Sequence, residues 1–188
     1  MAKEPAMFQI LTPDTYVTSP WKNGGGITHE IAKAETAQGW RWRLSIAEVA
    51  TDGPFSRYDG MSRILTVIEG NGIDLHTPEG ILQARPCKPV AFSGELPIDS
   101  RMVDGPIKDL NLIYDARLLR AEVVVLDGPC QMSIGPGWAG FLCLAGEVSV
   151  DKTPLPAMAF ALADTGGVGE ITLADGARGV LIRLLDLV

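Results

Sequence analysis

The sequence predicts an all-β protein of two similar antiparallel barrels. Three observations carry that prediction: short alternating segments, turn residues between them, and blocks that recur in the second half. The chain has 188 residues, enough for one domain or two small lobes at the usual ~100–200 residues per domain. Its 21 glycines and 13 prolines cut it into short elements and exclude long helical bundles and coiled coils.

The first alternating run, 27–32, follows a glycine-rich stretch. The clearest strand is 40–49, where Trp40, Trp42, Leu44 and Ile46 alternate with Arg41, Arg43, Ser45 and Ala47. Period-2 alternation makes one face apolar and the other polar. Residues 62–69, SRILTVIE, are rich in β-branched side chains and end at Gly70-Asn71-Gly72, a strong turn signal. Further short runs stand at 72–76, 89–93, 98–103 and 110–114, then at 122–126, 140–144, 148–150, 157–162, 170–173 and 179–187.

The two halves rhyme. Gly70, Phe92 and Gly105 find counterparts in Gly146, Phe160 and Gly176, at offsets of 76, 68 and 71 residues. Such drift fits a duplicated β unit with loop insertions and is too irregular for a solenoid. Two barrels packed into one body bury their open edges. The expected division is 1–115, the N-terminal segment with the first barrel, and 116–188, the second.

Sixteen lysines and arginines against 23 aspartates and glutamates leave a net charge of −7. An acidic chain without a basic cluster repels phosphate backbones and anionic lipid, which argues against nucleic acid and membranes as partners. Residues 1–16 hold no signal-peptide core and are interrupted by Pro5 and Pro13. No apolar run approaches the ~20 residues of a membrane span. Cys87, Cys130 and Cys143 form no CxxC pair, so a disulfide framework or thiolate zinc site is not expected and a reducing cytoplasm is.

Gly24–Gly26 is neither a P-loop nor a dinucleotide loop. It reads as a tight turn, or as a loop turning backbone N–H groups toward an anion. His29-Glu30 lacks the second histidine of a zinc helix, since position 33 is Lys33. The only other histidine is His76, which with Asp74 reads as a solvated edge pair. A metal-dependent β-barrel oxygenase wants about three converging His or carboxylate ligands, so no metal and no cofactor are expected. Ser45 and Ser56 sit in no nucleophile turn, and no catalytic residue is assigned.

Polar residues on otherwise apolar strands remain. Arg43 and Ser45 share a face, Arg63 shares one with Leu65 and Val67, and Asn111 lies between Leu110 and Leu112. An inward arginine needs an acid partner or an anionic ligand. Glu30 or Glu48 would serve as the first; a small carboxylate held bidentately in a barrel mouth would serve as the second.

Six blocks stand in a recognisable order. They are Trp21-x-Asn23-Gly-Gly-Gly-x-Thr28-x-Glu30-Ile31, Trp42-Arg43-x-Ser45-Ile46-Ala47, Gly53-x-Phe55-Ser56, Gly60-Met61-x-Arg63-Ile64 with Glu69-Gly70, Phe92-Ser93-Gly94, and Gly105-x-x-x-Asp109-Leu110-Asn111. Together, over 21–111, they resemble the HutD/Ves family; the second half is similar only in β character. The resemblance implies a bicupin lacking the metal-binding histidines of cupin enzymes. It implies an accessory or regulatory protein of histidine utilisation that binds a small carboxylate, of the formylglutamate or urocanate class, in the first barrel. The motif positions expected to line that cavity are Asn23, Thr28, Arg43, Ser45, Arg63 and Asn111. The alternative is a metal-free cupin isomerase or lyase using Glu30 or His29 as acid or base, and a weaker third reading is a scaffold without a small ligand. The oligomeric state stays open, a homodimer included.

Overall fold

The computed structural model describes residues 8–135, 137–163 and 169–187. They form strands β1 (Phe8–Leu11), β2 (Val17–Pro20), β3 (Gly26–Thr36), β4 (Gly39–Val49), β5 (Gly53–Pro54), β6 (Ser62–Glu69), β7 (Ile73–Thr77), β8 (Gly80–Ala84), β9 (Val90–Ser93), β10 (Asp99–Met102) and β11 (Ile107–Tyr114). The second half continues with β12 (Leu119–Asp127), β13 (Cys130–Ile134), β14 (Trp138–Ala145), β15 (Val148–Val150), β16 (Thr153–Pro154), β17 (Phe160–Ala163), β18 (Gly169–Leu173) and β19 (Arg178–Asp186). Among the described residues the only helical element is a 3-10 turn, Pro13–Thr15.

Two compact units result, one spanning Tyr16–Leu119 and the other joining 8–15 to 120–187. In the first, the sheet β2-β3-β4-β11-β6-β9 is accompanied by the sheet β5-β10-β7-β8; in the second, β1-β17-β14-β19-β12 is accompanied by β13-β18-β15-β16. Each unit is therefore a two-sheet jelly roll and not a closed hydrogen-bonded barrel. The sheets of the first unit enclose Val49, Leu65, Val67, Ile73, Leu75 and Ala84. Those of the second enclose Phe141, Cys143, Val148, Val150, Ile171 and Leu181.

The repeat seen in sequence is a repeat of topology. The order β4-β11-β6-β9 matches β12-β19-β14-β17, and β5-β10-β7-β8 matches β13-β18-β15-β16, so each strand from β4 to β11 corresponds to the one eight places later. The rhyming glycines close equivalent turns. Gly70 and Gly146 follow β6 and β14 with φ of 92° and 78°, while Gly105 and Gly176 precede β11 and β19 with φ of 75° and 71°. Glycine enters that left-handed region without the Cβ clash other residues meet.

What differs is how the ends of the large sheets are completed. In the first unit β3 and β2 extend the sheet beyond β4; in the second, β1 pairs with β17, Phe8 opposite Ala163 and Leu11 opposite Phe160. The N-terminal strand thus belongs to the sheet of the later unit, whereas the sequence grouped it with the first. Four residues carry too little pattern to show a partner 155 positions away. The short strands β2, β8, β13 and β16 were likewise invisible to periodicity.

Candidate functional site

Three neighbouring strands of the first unit supply the inner wall. β4 and β6 flank β11, with Asn111 opposite Ser45 on one side and Leu65 on the other, and Asp109 opposite Ala47 and Val67. On β4 and β6 the inward positions run from apolar to polar, and on β11 Asp109 and Asn111 stand between Ile107 and Ile113. Val49, Ile107, Val67 and Leu65 form the buried floor; Ala47, Ser45 and Arg43, Asp109 and Asn111, and Arg63 continue it outward. The opposite face of the same strands is also apolar and buried, through Leu44, Ile46, Ile64, Leu110 and Leu112.

Ala47, Ser45, Arg43, Asp109, Asn111 and Arg63 line a cavity of about 470 Å³, completed by the loop holding Trp21, Lys22 and Asn23, and by Phe55, Ser56 and Tyr58 before β6. All six positions named from sequence, Asn23, Thr28, Arg43, Ser45, Arg63 and Asn111, lie on its wall. Their local bonding separates them into distinct roles. Asn23 Oδ1 accepts from the Gly25 N–H at 3.0 Å, and Thr28 Oγ1 accepts from Trp21 Nε1 at 2.8 Å. Both side chains shape the loop as well as facing the cavity.

The glycines of that loop serve the turn. Gly24 (φ 72°) donates its N–H to the Trp21 carbonyl at 3.0 Å, so with Gly25 bonded to Asn23 neither group is left as an anion cradle. Gly26 is required by close approach, because a Cβ there would run into the Glu48 carbonyl oxygen and the Trp21 ring.

The two arginines differ in kind. Arg43 Nε donates to Glu30 Oε2 at 2.7 Å, Glu30 also stands 3.7 Å from Lys33 Nζ, and the Arg43 guanidinium lies 5.0 Å over the Trp40 ring. Its charge is met by an acid. Arg63 is 5% exposed and has no carboxylate within ion-pair distance among the described residues. Its Nε donates to Asn111 Oδ1 at 3.3 Å and its Nη1 to the Ser56 carbonyl at 3.2 Å, while Nη2 makes no hydrogen bond among the described residues. The guanidinium sits within 5.1–5.4 Å of the Phe55, Tyr58 and Phe92 ring centres, each contributing on the order of 0.5–1 kcal/mol or more when dry. Burial pulls its pKa down, and the nearby Asp109 and Tyr58 oppose that fall.

Asp109 is the member that the sequence reading passed over. It is 1% exposed; its Oδ1 accepts from Asn111 Nδ2 at 3.3 Å and its Oδ2 is buried without a partner. Desolvation raises its pKa to about 7 against the pull of Arg63 and the Asn111 hydrogen bond. The rings of Phe55, Tyr58 and Phe92 were missed as well. Phe55, Phe92 and Asp109 stand inside the quoted motif blocks, which was the available signal. His29 lies off the cavity wall, bonded to Thr18 at 2.9 Å and 3.4 Å from Glu48.

Among the described residues the second unit has no counterpart of this cluster. Seven residues before the matching glycines, Arg63 corresponds to Ala139; opposite Phe141 and Cys143, where the first unit has Asn111 and Asp109, stand Leu181 and Gly179. Phe141 occupies the space over Gly179 that a side chain would need.

Among the described residues no group of three His, Cys, Asp or Glu side chains is placed to hold a metal ion. Among the same residues no helix is long and apolar enough to cross a membrane. Fold and site define a bicupin whose first unit holds a cation-lined polar cavity. The chain belongs to the HutD family, whose model matches residues 13–175. It is 37% identical over 135 residues, 68% of each chain, to an uncharacterised 21.2 kDa protein in the hutC 3′ region of Pseudomonas putida. It is 34% identical over 110 residues to the protein Ves of Escherichia fergusonii, covering 57% of this chain and 58% of Ves. The structure of HutD from Pseudomonas fluorescens SBW25, determined in a formate condition, superposes with a TM-score of 0.84 at 33% identity, covering 95% of this chain and 98% of that one. The family is related to histidine utilisation.

Proposed function

We propose that this chain is a cytoplasmic accessory or regulatory protein of histidine utilisation that binds a small carboxylate, of the formylglutamate or urocanate class, in the cavity of its first unit. The observation that carries the reading is Arg63: a buried guanidinium without an ion-paired acid, one amino group uncommitted, on the wall of a cavity. A buried charge is costly unless paired, and a planar guanidinium matches a carboxylate in two parallel hydrogen bonds. Arg43 and Lys22 add positive charge to the same wall, so a locally cationic pocket opens in a chain of net charge −7.

The enzymatic alternative through Glu30 or His29 loses support, since Glu30 is engaged by Arg43 and Lys33 and His29 faces away from the cavity. Thermal unfolding with N-formyl-L-glutamate, urocanate and their uncharged amides tests the proposal. A ligand at ~100 times its Kd adds ~2.7 kcal/mol, a rise of about 5–10 °C for a chain this size. Equal shifts with acid and amide, or none with either acid, would refute it.

A further inference from the structure

We propose that Asp109 is a ligand-contacting hydrogen-bond donor: held as the neutral acid, it donates a hydrogen bond from Oδ2–H to an oxygen of the carboxylate seated on Arg63, so that binding takes up a proton from solvent. The inference rests on the carboxylate reading above and adds to it a contact and a pH dependence.

The geometry comes first. Arg63 Nε donates to Asn111 Oδ1, and Asn111 Nδ2 donates to Asp109 Oδ1, at 3.3 Å each. That relay fixes the carboxyl through one oxygen only. The other, Oδ2, is buried and unpartnered in a residue that lines the cavity. A buried polar atom left without a partner costs on the order of 1–3 kcal/mol, so Oδ2 is a vacancy in the bonding of the wall that a ligand atom would fill. An ionised carboxylate there would repel an incoming anion. The acid form instead offers an O–H···O⁻ bond, among the shorter and stronger hydrogen bonds.

The surroundings favour the acid form. Directly opposite Asp109 stand Ala47 of β4 and Val67 of β6, neither of them charged, while Arg63, opposite Ile113 on β6, acts on the carboxyl through space. The remaining charged or titratable groups on the cavity wall are Arg43 from β4, already paired with Glu30 of β3, Lys22 from the loop before β3, and Tyr58 from the loop before β6. Arg63 alone holds the proton affinity down among these, and burial outweighs it, leaving a value of about 7. A ligand anion placed on Arg63 cancels that pull and adds its own repulsion, so the carboxyl takes up a proton as the complex forms.

The test is calorimetric titration of N-formyl-L-glutamate and of acetate, at about pH 6 to 8.5 and in two buffers of contrasting ionisation enthalpy. Because only the protonated fraction is competent, affinity should be flat below pH 7 and fall about tenfold per pH unit above it. More than about half a proton should be taken up per ligand near pH 7.5, for a free carboxyl titrating at about 7. Asp109→Asn, a permanently neutral donor, should abolish both the slope and the buffer dependence, whatever its absolute affinity. Wild-type binding with a flat profile and no proton uptake overturns this proposal and leaves the carboxylate reading standing. Failure of both probes to bind at pH 6 overturns the two together. Should Asp109→Asn not fold, the wild-type proton count decides alone.

Discussion

Replacing Arg63 by methionine separates a ligand anchor from a structural keystone. The substitution keeps most of the volume and removes the charge. On the debit side stand two charge-assisted hydrogen bonds, to Asn111 and the Ser56 carbonyl, and contacts with three aromatic rings. At ~1.5–3 kcal/mol per bond and ~0.5–1 per ring the gross loss is roughly 5–9 kcal/mol. Against it stands the desolvation of a buried guanidinium that no acid neutralises, several kcal/mol that methionine does not incur. Ser56 is exposed, so water can satisfy its carbonyl once the arginine is gone. Buried Asn111 keeps an unpaired Oδ1, so the expected net destabilisation is roughly 1–4 kcal/mol, a Tm drop of about 2–16 °C. Binding is expected to lose two strong hydrogen bonds, ~3–6 kcal/mol, or at least about 100-fold in Kd. Paired melts and titrations of wild type and Arg63→Met with N-formyl-L-glutamate measure both quantities. A variant that unfolds or loses more than about 4 kcal/mol makes Arg63 a core residue; one that binds as tightly as wild type removes it from the site.

Asp109 also sets a pH dependence on stability. Its folded pKa of about 7 lies above its ordinary 3.8, so between those values the native state holds a proton that the unfolded chain has released. Its contribution to stability is fully present below about pH 4 and is lost as pH rises through 7. Asp109→Asn should therefore gain on wild type as pH rises from 5 to 8, by several °C in Tm; a gap that is constant or closes refutes the assignment. At the loop, Gly26→Ala forces a Cβ against the Glu48 carbonyl and Trp21 and should destabilise by ~1–3 kcal/mol, as overpacking does. Denaturant melts check it, and an unchanged midpoint would show that the β3–β4 backbone yields.

Chemistry and periodicity are properties of neighbouring residues, and these were legible along the chain. Alternation marked β4 and β6, the spaced glycines marked the duplicated turns, and polar side chains on apolar strands marked the cavity wall. Tertiary structure decided what depends on partners far apart in sequence. Both faces of β4 are buried, so alternation could not say that the polar face looks inward. Arg43 and Arg63 sit in similar strand contexts. Yet Glu30 stands across the β3–β4 ladder from one, while three rings gathered from before β6 and from β9 surround the other. Asp109 is an ordinary acid in a motif until Ala47 and Val67 flank it on separate strands. A proton affinity or an ion pair is fixed by what lies within a few ångströms in space, and folding alone determines which residues those are.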